Sequence, residues 1–239
     1  MNRTIFTIDS KLSAAYYALT FSDPVVAEVL SYVWLNSKEY REALSYGAIS
    51  IDRYLDTLAI TFISTRENAA KLVRIIERMI KRQISEKEKQ IALNNLNSHA
   101  KERLEIPEDR AISLLYQAAF EGTPYAYYPG LFLVNDIELT KLNKEKDQIK
   151  LAAEVALNNE FSLNLEFADL HRAKYELKSK SVQFNLNKQE SVIGYLAQVE
   201  GDYYQNILLD AVIGGIPLGS RLENAIRMKR GLAYYAFSR

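Results

Sequence analysis

The chain has 239 residues, of which 48% are hydrophobic, and its 30 basic and 30 acidic residues give a net charge of zero. This length can hold one large domain or two smaller domains, each with its own core. Without a basic excess we expect no nucleic-acid partner. The sequence contains no cysteine, which excludes disulfides, thiol catalysis and cysteine-liganded zinc.

Two sequence features concern the compartment. No apolar run approaches the roughly 18 residues that indicate a membrane span. The N-terminal segment lacks an apolar core followed by a small-residue cleavage site, so no signal peptide is predicted. We therefore expect a cytoplasmic protein without a membrane partner.

In the first half of the chain, strands and helices follow one another at short intervals. Runs rich in aromatic and β-branched residues predict strands over 4–8, 14–21, 48–52 and 56–64. Helical spacing of apolar residues predicts helices over 24–44, 66–83, 85–104 and 107–120. Asp23 before Pro24 is a typical helix start, and Ser85 with Glu88 three residues later predicts a capping box.

In the second half the predicted elements are less regular. A charged helix is predicted from Thr140 to about Leu157, followed by a half-buried strand over 161–168. Further strands are predicted over 181–186 and 191–198, and a helix over 202–213. Strands and helices in this mixed order, with the helices in pairs, favour an α+β class over a doubly wound parallel sheet.

The C-terminal stretch 214–239 has the most informative pattern. Glycines and a Pro-Leu-Gly turn lead to Ser220, a good N-cap. A short helix should follow and close on the basic residues from Arg227 onward, where cations favour a helix C-terminus. Gly231 is placed to stop this helix, and the following Leu-Ala-Tyr-Tyr-Ala-Phe predicts a strand.

This stretch resembles the start of the second domain of pitrilysin/insulinase-type metallopeptidases, the family that includes mitochondrial processing peptidase. The shared pattern is approximately G-G-x-x-S-R-L-x-x-x-x-R-x-x-x-G-L-A-Y. In that family the Arg and the Tyr seven residues later contact the substrate, which implies substrate-binding roles for Arg227 and Tyr234. The resemblance implies a metallopeptidase-like domain over 1–170, with an antiparallel-rich sheet and a helical layer. A linker over 171–180 and a partial second copy over 181–239 would follow.

The family's zinc chemistry is missing from this sequence. It requires an H-x-x-E-H motif on the first long helix and a distant Glu. The resemblance places these four positions at Ala27, Leu30, Ser31 and Asn95. The chain has two histidines, His99 and His171, and no H-x-x-x-H pair. We therefore predict no catalytic residue, no metal ligand and no cofactor in this chain.

Some two-subunit members of the family divide these parts, with zinc on one chain and the Arg–Tyr pair on the other. The resemblance thus implies a zinc-free subunit that holds a peptide substrate beside a zinc-bearing partner. Two alternatives stay open: a purely structural pseudopeptidase, and an unrelated α+β interaction domain whose ending matches by chance. Self-association is the alternative to a zinc-bearing partner.

The position of the chain end adds one expectation. The sequence stops just after the predicted Arg–Tyr strand, whereas a complete second domain of the family needs further strands and helices. We expect the unfinished sheet to be completed by a longer chain, by the other half of a split gene or by a partner, because an open strand edge invites pairing.

Overall fold

The computed structural model describes residues 3–54, 57–169, 178–189, 191–197, 199–215 and 219–238. The chain divides into two compact units, Met1–Tyr195 and Leu196–Arg239. Most of the predicted linker, 171–177, lies outside the described residues. No helix in the described part of the chain is long and apolar enough to cross a membrane.

The first unit is built on one five-stranded sheet. Its strands are β1 (Arg3–Phe6), β2 (Leu12–Thr20), β3 (Gly47–Arg53), β4 (Thr57–Thr65) and β5 (Lys150–Leu157). They lie in the order β1-β5-β2-β4-β3. The β1–β5 pair is parallel, and the other three neighbouring pairs are antiparallel. The α+β class with an antiparallel-rich sheet is therefore confirmed.

Helices pack against this sheet and against one another. These helices are α1 (Pro24–Leu35), α2 (Lys38–Ala43), α3 (Arg66–Lys81), α4 (Glu86–Leu104), α5 (Pro107–Ala119) and α6 (Leu139–Asp147). Alternate β2 residues such as Tyr17 and Leu19 point into the core, as the period of two in a half-buried strand requires. There they meet apolar side chains of α1 and α3, including the fully buried Trp34 and Leu72.

The first predicted helix is shorter than expected. Instead of running to Leu44, α1 ends at Leu35, and Ser37 starts α2 as its N-cap. The Ser37 hydroxyl donates to the carbonyl of Trp34 at 2.7 Å and accepts the N–H of Tyr40 at 3.0 Å. A serine that bonds the backbone on both sides competes with continued helical pairing, which explains the break.

The predicted helix over 140–157 is wrong in its second half. Helix α6 ends at Asp147, and Lys150–Leu157 forms β5 between β1 and β2. The two neighbouring strands provide hydrogen-bond partners for the backbone of this segment, so tertiary pairing overrides its helical propensity. The predicted strand over 161–168 is not formed, and only Phe167 makes an isolated parallel bridge, with Leu151.

Three further strand predictions are also wrong for the residues that the structure describes. Over 181–186 and 191–197 the described chain has no regular secondary structure, and residue 198 lies outside the described residues. Over 232–237 it likewise forms no strand. Alternating side chains do not make a strand without a neighbour to accept its backbone hydrogen bonds.

The second unit has helical elements in its described residues. Helix α7 (Tyr203–Asp210) begins with a capping box formed by Asp202 and Gln205, and its last turn widens into a π-helical segment, Ala211–Gly215. A second π-helical segment spans Glu223–Met228. A second copy of the first unit stays a prediction.

Candidate functional site

The four positions that the resemblance assigns to a metal site carry no zinc-ligand chemistry. Ala27 and Leu30 are fully buried in the hydrophobic core. Ser31 is 4% exposed, and its hydroxyl donates to the carbonyl of Glu28 within the same helix at 2.7 Å. Asn95 of α4 donates weakly, at 3.4 Å, to the amide oxygen of Asn36.

Zinc is bound by imidazole, thiolate and carboxylate groups, and these four side chains offer two hydrocarbons, a hydroxyl and an amide. Within the described ranges no three His, Cys, Asp or Glu side chains form a group that could hold a metal ion. His99 faces Tyr32, with Nδ1 3.2 Å from the phenolic oxygen. His171 lies outside the described residues. The residues present therefore do not fit the family's zinc ion.

A buried ion pair lies beside these positions. Arg53 Nε of β3 is 3.4 Å from Glu28 Oε2 of α1, and the two side chains are only 7% and 4% exposed. Arg53 also donates to the carbonyl of Pro24 at 3.2 Å. Burial raises the pKa of the Glu28 carboxyl, while Arg53 and a hydrogen bond from the backbone of Gly130 lower it in part. The pair joins the start of α1 to the sheet edge.

Arg227 and Tyr234, the predicted substrate-binding residues, lie side by side in the second unit. The guanidinium carbon of Arg227 is 5.3 Å from the centroid of the Tyr234 ring, within the range of a cation–π contact. The Arg227 side chain is 38% exposed, and Tyr234 is 83% exposed. Both groups are therefore accessible to a ligand rather than buried by neighbours.

The backbone between these two residues turns back on itself. Gly231 donates to the carbonyl of Arg227 at 2.9 Å, and Leu232 donates to the carbonyl of Ile226 at 3.1 Å. Gly231 has a φ of 60°, a left-handed conformation that favours glycine at a helix end. The predicted helix stop is confirmed, and this turn brings Tyr234 back to the guanidinium.

A third residue, which the sequence analysis missed, completes the arrangement. Glu223 Oε1 accepts a hydrogen bond from Arg227 Nη1 at 2.9 Å, and its Oε2 accepts the backbone N–H of Gly219 at 3.0 Å. Residues 221–222 are helical ahead of the π-helical segment, and the N–H of Glu223 donates to the Ser220 hydroxyl at 3.2 Å, so Ser220 caps this helix as predicted. The spacing of four residues between Glu223 and Arg227 is a typical helical ion pair, and this signal was present in the sequence.

Comparisons with known proteins inform the fold. No family model matches the sequence, and no curated protein matches it. A crystal structure of a peptidase M16 inactive domain from Pseudomonas fluorescens superposes with a TM-score of 0.69 at 14% identity, covering 99% of this chain and 67% of that chain. A conserved protein from Enterococcus faecalis V583 superposes with a TM-score of 0.64 at 15% identity, covering 99% of this chain and 69% of that chain.

At these identities the likeness concerns the fold alone. The open five-stranded sheet and its helices are similar to the inactive M16 peptidase domain. The part of the resemblance that concerns the fold is thereby confirmed: the chain has an M16-like peptidase fold.

Proposed function

We propose that this chain is a non-catalytic, M16-like subunit that holds a peptide substrate for a zinc-bearing partner. The observation that carries the proposal is the exposed contact between Arg227 and Tyr234, with the guanidinium 5.3 Å from the ring centroid. The apolar and amide side chains at Ala27, Leu30 and Asn95 support a chain without hydrolytic chemistry of its own.

The chemistry of the pair suits a peptide bond under attack. A guanidinium and a phenol can both donate hydrogen bonds to a carbonyl oxygen as it gains negative charge. Glu223 accepts a hydrogen bond from Arg227 Nη1, which uses one of the five N–H donors of the guanidinium. Tyr234 is 83% exposed, which leaves its hydroxyl in reach of a bound peptide.

A second candidate function is a structural pseudopeptidase that binds a partner without taking part in hydrolysis. The observation that favours it is the ion pair between Arg227 and Glu223, at 2.9 Å and four residues apart. Such a pair stabilises a helix by a few tenths of a kcal/mol, roughly 0.3 to 0.5. A helix-stabilising role would account for Arg227 without any substrate.

The experiment begins with purification of the tagged chain from its native host, to ask whether a chain bearing H-x-x-E-H accompanies it. The reconstituted pair is then assayed for hydrolysis of an unstructured peptide, with Arg227→Ala compared with wild type. We expect kcat/KM to fall by about 100-fold, the typical effect of removing one oxyanion-stabilising donor. Arg230→Ala is the matched control, because Arg230 is an exposed arginine at the end of the same helix.

Each outcome separates the candidates. A large loss in Arg227→Ala with normal activity in Arg230→Ala supports the peptide-holding subunit. A stable complex whose turnover is the same in both variants rejects that role and favours the structural pseudopeptidase. Chelator-sensitive hydrolysis by the purified chain without a partner would overturn both.

A further inference from the structure

The carboxylate of Glu223 links two parts of the candidate site. One oxygen accepts the backbone N–H of Gly219, in the turn before the helix, and the other accepts Arg227 Nη1, one helical turn later. The Glu223 side chain is 10% exposed, whereas that of Arg227 is 38% exposed. The buried carboxylate has both oxygens hydrogen-bonded, and one of them holds the more exposed guanidinium.

This contact restrains the orientation of Arg227. A free arginine side chain has about 2 kcal/mol of rotamer entropy to lose when it is ordered. In this structure Glu223 holds one edge of the guanidinium, and the Tyr234 ring lies at 5.3 Å from its central carbon. The donors that point away from Glu223 are therefore presented to a ligand in one preferred direction, before any ligand binds.

The contact also places a carboxylate directly beside the guanidinium. Glu223 and Arg227 carry side chains of opposite charge type within hydrogen-bonding distance of each other. A carboxylate ligand would be attracted by the guanidinium and repelled by Glu223, so the repulsion offsets part of the attraction. A peptide carbonyl needs no net charge, because its oxygen accepts directed hydrogen bonds. The arrangement thus favours neutral acceptors over anions.

We propose that Glu223 is a positioning residue that holds the Arg227 guanidinium beside Tyr234 and makes the site selective for neutral peptide carbonyls over carboxylates. This inference rests on the proposed function for its biological meaning. Its geometric part concerns this chain alone and is tested without a partner.

The first measurement is the NMR signal of the Arg227 Nε–Hε group in the full chain, assigned by its loss in Arg227→Lys. In the wild type we expect a signal shifted by the Tyr234 ring and hindered rotation of the guanidinium. In Glu223→Gln both signatures should weaken, and Glu223→Asp should restore them in part. Glu200→Gln, at an exposed glutamate of the same unit, should leave the signal unchanged.

The second measurement adds N-acetylalanine and its amide as carboxylate and neutral probes, and records how strongly each shifts the Arg227 signal. In the wild type the carboxylate should have no advantage over the amide. In Glu223→Gln the response to the carboxylate should rise by about threefold, since a repelling charge on the far side of the guanidinium, on the order of 6 Å away in water, has been removed. A wild-type site that prefers the carboxylate would overturn the selectivity.

The two proposals fail in different ways. If the Arg227 signal is the same in wild type and Glu223→Gln, the positioning role of Glu223 is wrong, whatever the hydrolysis assay gives. If the Arg227 signal depends on Glu223 but the Arg227→Ala substitution does not change hydrolysis by the reconstituted pair, the positioning role of Glu223 is supported and the peptide-holding function is rejected.

Discussion

Glu28 of α1 and Arg53 of β3 form an ion pair that is almost completely removed from solvent. The Arg53 Nε to Glu28 Oε2 distance is 3.4 Å, and the side chains are 7% and 4% exposed. The pair lies within one turn of Ala27 and Leu30, where the family would place zinc-site residues. An internal salt bridge therefore stands beside the position at which the resemblance expects a metal.

We expect Arg53→Met to lower the free energy of unfolding at neutral pH by about 3 kcal/mol, because it leaves a buried carboxylate without its counterion. Adding Glu28→Gln to this variant should restore most of the loss, since no uncompensated charge is then buried. Urea denaturation followed by the fluorescence of Trp34, the single tryptophan and a buried one, measures both. A double variant less stable than Arg53→Met would contradict the pairing.

The same carboxyl gives a pH dependence with a defined sign. Burial raises the folded-state pKa of Glu28 above its ordinary value of 4.5. The stability that this group contributes is therefore full below pH 4.5 and is lost as the pH rises through the folded-state pKa. We expect the unfolding free energy of wild type to fall relative to that of Glu28→Gln over this interval.

Comparing these two proteins cancels the contributions of all other titrating groups. Glu102→Gln is the control for the loss of a carboxyl as such, because Glu102 is an exposed glutamate on α4. A difference between wild type and Glu28→Gln that is constant with pH, or that changes in the opposite direction, would show that the pKa of Glu28 is not raised.

The start of α4 provides a separate stability test. Ser85 Oγ accepts the N–H of Glu88 at 3.4 Å, and Glu88 Oε2 accepts the N–H of Ser85 at 3.0 Å. We expect Ser85→Ala to cost about 1 kcal/mol of unfolding free energy. Ser98→Ala, at an exposed position inside the same helix, should be neutral or slightly stabilising, because alanine is the better helix former.

The effect of Ser85→Ala should also depend on pH. Burial works to raise the pKa of Glu88, but the hydrogen bonds from Ser85 and the nearby Arg82 outweigh it, so the pKa is lowered. A carboxyl whose pKa is lowered by folding contributes stability above its ordinary pKa, and this stability is lost as the pH falls through the folded-state pKa. The cost of Ser85→Ala should therefore shrink in acid. An equal cost at neutral and acidic pH would rule out this coupling.

Local signals in the sequence were enough for some of these features. Asp23 before Pro24 and the Ser85–Glu88 box each act within a few residues, so both helix starts are predicted correctly. The spacing of Glu223 and Arg227 was equally local, and it could have located the ion pair.

The features that the sequence analysis missed depend on contacts distant in the sequence. Lys150–Leu157 forms β5 because it pairs with β1 on one side and β2 on the other. Both partner strands lie more than 100 residues away in the sequence, so the residues around position 150 do not reveal this pairing. Glu28 and Arg53 meet only when α1 packs on the sheet edge. The family pattern implied substrate-binding roles for Arg227 and Tyr234 but not their mutual contact, and the strand expected around Tyr234 is not formed in the described residues.

Three of the four positions that the resemblance assigns to a metal site lie on a buried face of α1. We expect that introducing the family's residues through Ala27→His, Leu30→Glu, Ser31→His and Asn95→Glu will not create a zinc site. Ala27 and Leu30 are fully buried and Ser31 is 4% exposed, so large polar side chains must be forced into a packed core. Leu30→Glu alone should cost about 4 kcal/mol, the order expected for a buried unpaired polar group.

Zinc titration calorimetry and urea denaturation measure the two effects. The matched control is the pair Gln90→His and Asn94→His, at exposed positions four residues apart on α4. Because histidines at this spacing share one helix face, the control should stay folded and bind zinc weakly. If the fourfold variant instead unfolds like wild type and binds zinc more tightly than the control, the positions at Ala27, Leu30 and Ser31 are accessible. The conclusion that this face of α1 serves only to pack the hydrophobic core would then be wrong.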